Sequence, residues 1–266
     1  MRVFITGITG MVGSHLADYL LADHPDVEVH GLYRWRSPLD NIQQIKDRVT
    51  MHLGDLSDLG SLIRILDDVR PERIFHLAAQ SYVTTSFNAP ADTLMTNVIG
   101  TTNLLDAVRL CELDPRIHIC RSSEGYGQVL KEDLPISEDA PLRPASPYAV
   151  SKVGEDMIAY QYHLSYGLEI MRTRMFTHTG PRRGAVFAES AFARQIARIE
   201  AGLQDTPVRV GNLDSVRTYA DVRDAVRAYW LLLEKGQPGA VYNIGGNRTV
   251  TIGEVLEILV GMASVP

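Results

Sequence analysis

The chain of 266 residues contains only two cysteines, Cys111 and Cys120. Two thiols make neither a disulfide framework nor a cysteine metal cage, so free, buried thiols in a reducing compartment are expected. Basic residues are also in deficit: 26 Lys and Arg face 32 Asp and Glu, a net charge of −6. A general nucleic-acid binder carries the opposite balance, so nucleic acid is not an expected partner. No apolar run reaches the ~18–20 residues needed to cross a bilayer, and no membrane association is expected. A secretory leader is not expected either, because a structured motif begins at Met1, so the expected location is cytoplasmic. The eight histidines are scattered without an H-x-x-x-H pair, which leaves a metal site without support. Internal repeats and low-complexity tracts are missing as well. What is present, 45% apolar and 22% charged residues, is ordinary globular composition for one large domain or two small ones.

The first residues carry the clearest signal. Val3–Ile5 is a short β-branched and aromatic run that reads as a buried parallel strand. Gly7-x-x-Gly10-x-x-Gly13 follows, and then Leu16, Tyr19 and Leu20 at helical spacing. Glycines between a strand and a helix permit a tight turn and let backbone N–H groups approach a pyrophosphate at the positive helix end. This order of elements points to a dinucleotide site built from Gly7, Thr9, Gly10, Met11, Val12 and Gly13. The next strand, Val27–Leu32, leads into Tyr33-Arg34-Trp35-Arg36-Ser37. An NAD site usually offers the ribose a carboxylate there. Arg34 and Arg36 instead suit a 2′-phosphate, which favours NADP over NAD, although a solvated basic loop would read the same way.

Further strands are expected at Val49–Leu53, Arg73–Ala78, Arg116–Arg121 and Leu168–Arg174, alternating with helices at Leu59–Val69, Ala91–Cys111 and Pro147–Tyr166. This alternation predicts an α/β fold with a doubly wound parallel sheet of the Rossmann type, its ligands at the carboxyl ends of the strands. At those ends stand Asp55 and Leu56, where the carboxylate could meet the adenine amino group or cap a helix. Leu77, Ala78 and Ala79, followed by Ser81, offer small side chains for close backbone approach or simply for tight packing. Ser122, Ser123 and Glu124 put two hydroxyls and a carboxylate at one strand end, suited to hydrogen bonding and proton transfer or to a plain turn. Tyr148 and Lys152 lie four apart on a helix that Pro147 can open, so they share a face. A phenol with an ordinary pKa near 10 is a poor base, and a neighbouring ammonium lowers it.

Together these motifs resemble the extended short-chain dehydrogenase/reductase family, over nearly the whole chain. Gly7-x-x-Gly10-x-x-Gly13, Asp55-Leu56, His76–Ser81, Asn97-x-x-Gly100-Thr101, Ser122–Gly127 and Tyr148-x-x-x-Lys152 stand in family order. Within it, Arg34-x-Arg36-Ser37, Gln80-Ser81-x-Val83-x-x-Ser86-Phe87, His178-x-x-Pro181-Arg182-Arg183-Gly184, Gly211–Asp214 and Arg217 resemble the GDP-mannose 4,6-dehydratases, with the sister GDP-4-keto-6-deoxymannose reductases also similar.

The resemblance implies roles. Ser122, Tyr148 and Lys152 would be the catalytic set, with Tyr148 as base and Lys152 on the ribose. Glu124 would remove the C5 proton and assist loss of the C6 hydroxyl as water, after oxidation at C4 and before hydride return to C6. His178 would join the cofactor site. Ser81, Ser86, Ser122, Ser123, Glu124, Thr177, Arg183, Asn212 and Arg217 would touch the nucleotide sugar. A homodimer or homotetramer is implied, pairing Ala91–Cys111 and Pro147–Tyr166 across a two-fold axis. Three departures stand out: Ser122 replaces an expected Thr while keeping the hydroxyl, Thr177 replaces an expected side-chain amide, and Gly125 replaces an apolar residue and should loosen its loop.

Composition shifts after Arg174. Residues 1–174 are expected to form the dinucleotide domain and 175–266 mostly a smaller substrate lobe. That lobe would hold helices at Phe187–Ala201, Ala220–Glu234 and Ile252–Met262, and short strands at Val208–Val210 and Val241–Ile244. Family members continue past the position of Pro266, so either the sequence is a fragment or the lobe is incomplete, and impaired sugar-nucleotide affinity is expected. Two other functions compete. A sister reductase or epimerase would share Tyr148 and Lys152, whereas a non-catalytic dinucleotide sensor would have no use for Ser122, Tyr148 and Lys152 together.

Overall fold

The computed structural model describes residues 1–264; Val265 and Pro266, the end of the expected lobe, lie outside the described residues. In chain order the elements begin β1 (Arg2–Thr6), α1 (Met11–Asp23), β2 (Glu28–Tyr33), β3 (Thr50–Leu53), α2 (Leu59–Val69) and β4 (Arg73–His76). Next come α3 (Val83–Asn88), α4 (Pro90–Leu94), α5 (Gly100–Leu110), β5 (Arg116–Ser122), α6 (Pro147–Tyr166), β6 (Ile170–Met175) and β7 (His178–Thr179). The chain continues with α7 (Ala188–Glu200), β8 (Val216–Thr218), β9 (Ala220–Asp221), α8 (Val222–Lys235), β10 (Val241–Ile244), β11 (Thr249–Thr251) and α9 (Ile252–Gly261).

Seven strands form one parallel sheet in the order β10-β6-β5-β4-β1-β2-β3. Strand order reverses between β1 and β4, the switch point at which open α/β sheets bind ligands. Apolar layers cover both faces. One gathers Leu16 and Leu20 of α1 with Val226, Tyr229 and Trp230 of α8. The other gathers Leu62 and Leu66 of α2, Leu104 and Val108 of α5, and Ala159 and Tyr162 of α6. This is the expected doubly wound arrangement.

Several expectations are corrected. Val241–Ile244 is a strand, but it joins the main sheet beside β6, and α8 packs on that sheet with α1. The sheet therefore does not end where composition shifts after Arg174. The remaining distal elements are small: β8 pairs with β11, β7 with β9, and α7 packs on α9. Val208–Val210 is not a strand; it lies beside α7, where the Gln195 carboxamide bonds the backbone of Arg209 instead. The helix expected over Ala91–Cys111 is α4 and α5 joined by a wider π turn, Met95–Ile99, which turns Asn97 fully into the interior. Gly125 is buried, and a Cβ there would lie 3.1 Å from the Val153 side chain.

Two buried polar systems lock α6 onto the sheet. Ser146 caps its N-terminus, accepting from Ala149 N at 3.0 Å, and Pro147 occupies the first turn, where its missing N–H costs nothing. Further along, the Asp156 carboxylate meets Arg121 of β5 and Arg172 and Arg174 of β6, the last two at 2.5 and 3.0 Å. All four side chains are buried. Nearer the helix start, Asn97 donates to Ser151 Oγ at 2.8 Å and to Gln80 O at 3.0 Å, while its carbonyl oxygen accepts from Gln80 N at 2.8 Å. Thr101 Oγ1 donates to Asn97 O at 2.7 Å, so it accepts from His76 Nε2 at 2.8 Å. His76 Nδ1 therefore accepts from Thr6 Oγ1 at 2.8 Å, and that oxygen accepts from Leu77 N and Ala78 N. Burial, aided by Lys152, pushes the His76 pKa down to about 3, which keeps the ring in the neutral form this relay needs.

Removing one partner of a buried ion cluster strands the others. Asp156→Asn is expected to cost about 3–5 kcal/mol of folding stability, measured by urea denaturation. A loss below about 1 kcal/mol, the range of a surface pair, would mean that something other than Asp156 balances the three guanidinium groups.

Candidate active site

A cavity of about 800 Å³ runs along the carboxyl ends of β1, β2, β4, β5 and β6. At one end lies the glycine loop. Gly7 has φ +74°, and a Cβ there would lie 2.8 Å from Ala78 N; a Cβ on Gly13 would lie 2.3 Å from Gly7 O. These two glycines let the turn close against β4 and against itself. Gly10 opens α1 with extended backbone and no side-chain cap, and the first turn of α1 holds no acidic residue. The helix N–H groups therefore face the cavity without a competing anion, a cradle that fits a pyrophosphate. Thr9, Met11 and Val12 line it as well.

Around this cradle lie Arg34, Ser37 and Asn41, with Arg34 exposed, Ser37 Oγ accepting from Arg34 N, and Asn41 donating to Thr9 O. Arg36 does not line the cavity; its guanidinium stacks over Trp35 in solvent. Asp55 and Leu56 line the wall, and one Asp55 oxygen already closes an Asx turn with Ser57. Leu77, Ala78 and Ala79 form the floor, with Ser81 exposed at the rim.

At the other end the catalytic candidates converge. Ser122 ends β5 and accepts from Glu124 N at 3.2 Å, which opens a 3₁₀ turn over Ser123–Tyr126. Tyr126 pins that turn, donating to Asn243 of β10 at 2.7 Å and accepting from Arg174 at 2.8 Å. Ser123 and Glu124 face the cavity, and Glu124 is exposed to solvent. Tyr148 and Lys152 enter from α6, both buried. Lys152 does favour the Tyr148 phenolate, as does Ser122, but burial outweighs them and leaves the phenol above its ordinary value. The expected downward pull of the ammonium is therefore present, set against a larger upward push from burial. Lys152 Nζ donates to Cys120 O at 3.2 Å and lies 2.9 Å from each oxygen of Glu155.

The loop after β6 closes the cavity with Thr177, His178 and Arg183. His178 bonds Phe176 O through Nδ1, and burial, then Arg183, push its pKa down to about 4. Arg183 lies 3.3 Å from Glu189 and sits over the Phe187 ring, while Arg182 pairs with Asp18 of α1 at 2.7 Å and ties the loop to the cofactor half.

Three substrate candidates lie away from the cavity lining. Ser86 is fully buried and donates to Val83 O, because α3 turns it toward the interior. Asn212 closes an Asx turn with Asp214, and Arg217 donates to Val216 O; both are exposed. The sequence reading singled out none of Glu155, Asp156 and Asn243 and assigned Tyr126 no role within its motif; their roles arise from contacts between distant strands and helices. A carboxylate pair one turn beyond Lys152 was the available signal for the first two. Among the described residues there is no cluster of metal-ligating side chains and no helix long and apolar enough to cross a membrane.

A family profile described as GDP-mannose 4,6 dehydratase matches residues 4–265. The chain belongs to the GDP-mannose 4,6-dehydratase family. Its fold and motifs are those of the extended short-chain dehydrogenases/reductases. A GDP-mannose 4,6-dehydratase from Yersinia enterocolitica is 37% identical over 268 residues, covering 97% of this family member and 70% of the relative. A GDP-6-deoxy-D-mannose reductase from Pseudomonas aeruginosa is 36% identical over 265 residues, covering 99% and 81%. Among solved structures, RMD from Pseudomonas aeruginosa complexed with NADPH matches with a TM-score of 0.86 at 35% identity, covering 100% of this chain and 84% of that one.

Proposed function

We propose that the protein is an NADP-dependent nucleotide-sugar 4,6-dehydratase whose substrate is GDP-mannose. The observation that carries this reading is the meeting of Ser122, Tyr148 and Lys152 with Glu124 in one cavity. Gly7, Gly10, Gly13 and the start of α1 would hold the pyrophosphate, Arg34 the 2′-phosphate, and Lys152 the nicotinamide ribose. When bound there, the dinucleotide would supply the hydride-transfer chemistry needed at C4 and C6.

Tyr148 takes the C4 hydroxyl proton, and Ser122 donates to the oxygen on which the carbonyl forms. The new ketone acidifies the C5 proton, and Glu124 removes it. The same carboxyl then protonates the leaving C6 hydroxyl, so Glu124 acts as base and then as acid. Its exposed position on a pinned turn suits a group that must hand protons both ways. Arg183, held by Glu189, would face the sugar-nucleotide phosphates.

The alternative is the sister 4-keto reduction, favoured by the 81% coverage of the Pseudomonas reductase. It needs Tyr148 and Lys152 but no elimination. The mass of GDP-mannose after incubation with the protein and catalytic NADP separates the two. Loss of one water without net NADPH is expected, and Glu124→Gln should stop that loss while still permitting NADP reduction. Normal product from Glu124→Gln would remove Glu124 from the mechanism, and an unchanged mass with wild-type protein would remove the dehydratase reading.

Arg34→Ala is expected to weaken NADP at least tenfold more than NAD, about 1.4 kcal/mol of difference. Equal losses for both, measured by calorimetry, would mean that Arg34 does not read the 2′-phosphate.

Self-association belongs to the same proposal. Val150, Met157 and Leu164, seven residues apart on α6, are all exposed, as are Met95 and Ile99 in the adjoining π turn. That stripe suits a second copy of the chain packed helix against helix. A light-scattering mass of two or four chains is expected; a single-chain mass would refute it.

A further inference from the structure

Glu155 has no part in the chemistry above, yet it is among the most deeply buried carboxylates, at 1% exposure. It lies one helical turn beyond Lys152, with both oxygens 2.9 Å from Nζ. The ammonium's other protein contact is the Cys120 carbonyl at 3.2 Å, so its position is fixed by one charge and one dipole. Burying a carboxylate is costly unless its charge is met, and Lys152 is the only cation bonded to it among the described residues. The arginine cluster beneath α6 is served by the neighbouring Asp156 instead.

A negative charge at this point does two things. It holds the ammonium on a defined line beneath the cavity. It also subtracts from the field that the ammonium exerts on Tyr148. The groups whose charge or hydrogen bonding acts on the phenol are Lys152 and Glu155 on its own helix, Ser122 and Cys120 from β5, Arg183 from the loop after β7, and Tyr229 from α8. Of the nearest charges, those of Lys152 and Glu155 oppose each other in their effect on the phenol.

We propose that Glu155 is a positioning residue for the proton-transfer step: it anchors the Lys152 ammonium and sets how much of its charge reaches the Tyr148 phenol. The inference rests on the reading of Tyr148 as the base. Directions agree with the geometry: Glu155 raises the Tyr148 phenol, and it helps hold the Lys152 ammonium above its ordinary value against the downward push of burial.

Glu155→Gln keeps the size of the side chain and an acceptor for Nζ but removes the charge. The Tyr148 phenolate band is read by ultraviolet difference between proteins with and without Tyr148→Phe, in both the wild-type and Glu155→Gln backgrounds, without substrate. Its midpoint is expected about one pH unit lower in the Gln background, the ordinary scale for loss of a nearby charge. The pH midpoint of product formation from GDP-mannose and NADP should move the same way. Glu155→Asp retains the charge but draws it back by one methylene, so a smaller shift in the same direction is expected, and it serves as the test if the Gln variant does not fold. A lowered thermal midpoint with both pH midpoints unmoved would assign Glu155 a purely structural role and overturn the inference. A moved phenolate band in a protein that leaves GDP-mannose intact would uphold the inference and overturn the dehydratase reading instead.

Discussion

Three guanidinium groups and one carboxylate meet beneath α6, and the position of the reactive side chains follows from that meeting. Arg172 and Arg174 alternate along β6 and so point to the same face of the sheet as Arg121 of β5. Asp156 reaches all three from above. Arg121 also donates through Nε to the Lys152 carbonyl at 2.9 Å, which fixes the helix where Lys152 leaves it. An apolar interface would tolerate sliding of a helix over a sheet; a shared carboxylate does not. Tyr148, two turns back along the same helix, inherits that fixed register.

The second constraint runs the other way, from the cofactor cradle toward the helix. Thr6 ends β1 beside the glycine turn, and His76 ends β4 opposite it. Thr101, Asn97 and Ser151 continue the chain of hydrogen bonds until Ser151 donates to Tyr148 O at 2.7 Å. Each donor in this relay has one acceptor that suits it, and the neutral His76 ring is what makes the directions consistent. The glycine cradle and the backbone of Tyr148 are thus parts of one hydrogen-bonded unit.

The sequence made the sheet legible because buried parallel strands and helical spacing are local patterns: β1 to β6 and their helices fall close to the expected ranges. The glycine turn, the Ser122–Glu124 cluster and the Tyr148–Lys152 pair were legible for the same reason, each carrying its chemistry in a few adjacent residues. What local pattern could not give was the company a side chain keeps. Ser86 looked polar and available, but the turn of α3 directs it inward. Arg36 shared a loop with Arg34 and went to solvent over Trp35. Glu155 and Asp156 stood out in no motif and are buried on α6, because their partners come from strands and from a lysine that lines the cavity. The expected strand at Val241–Ile244 was found, but its partner was hidden by the residues that intervene after β6.

That partner gives β10 a bearing on how the chain can assemble. Until residues 241–244 are available, β6 is an open sheet edge, with bare N–H and C=O groups of the kind that recruit other strands. The segment just ahead of β10 also matters, since Arg116 donates to Gly236 O at 2.6 Å and Arg172 to Gly239 O at 2.7 Å. The distal elements α7, β8 and β9 are therefore an excursion between two neighbouring strands, and the sheet closes only on the return. Pairings of this kind across a long excursion are slow to form. During synthesis the edge at β6 stays open until β10 emerges, and β10 is its permanent cover.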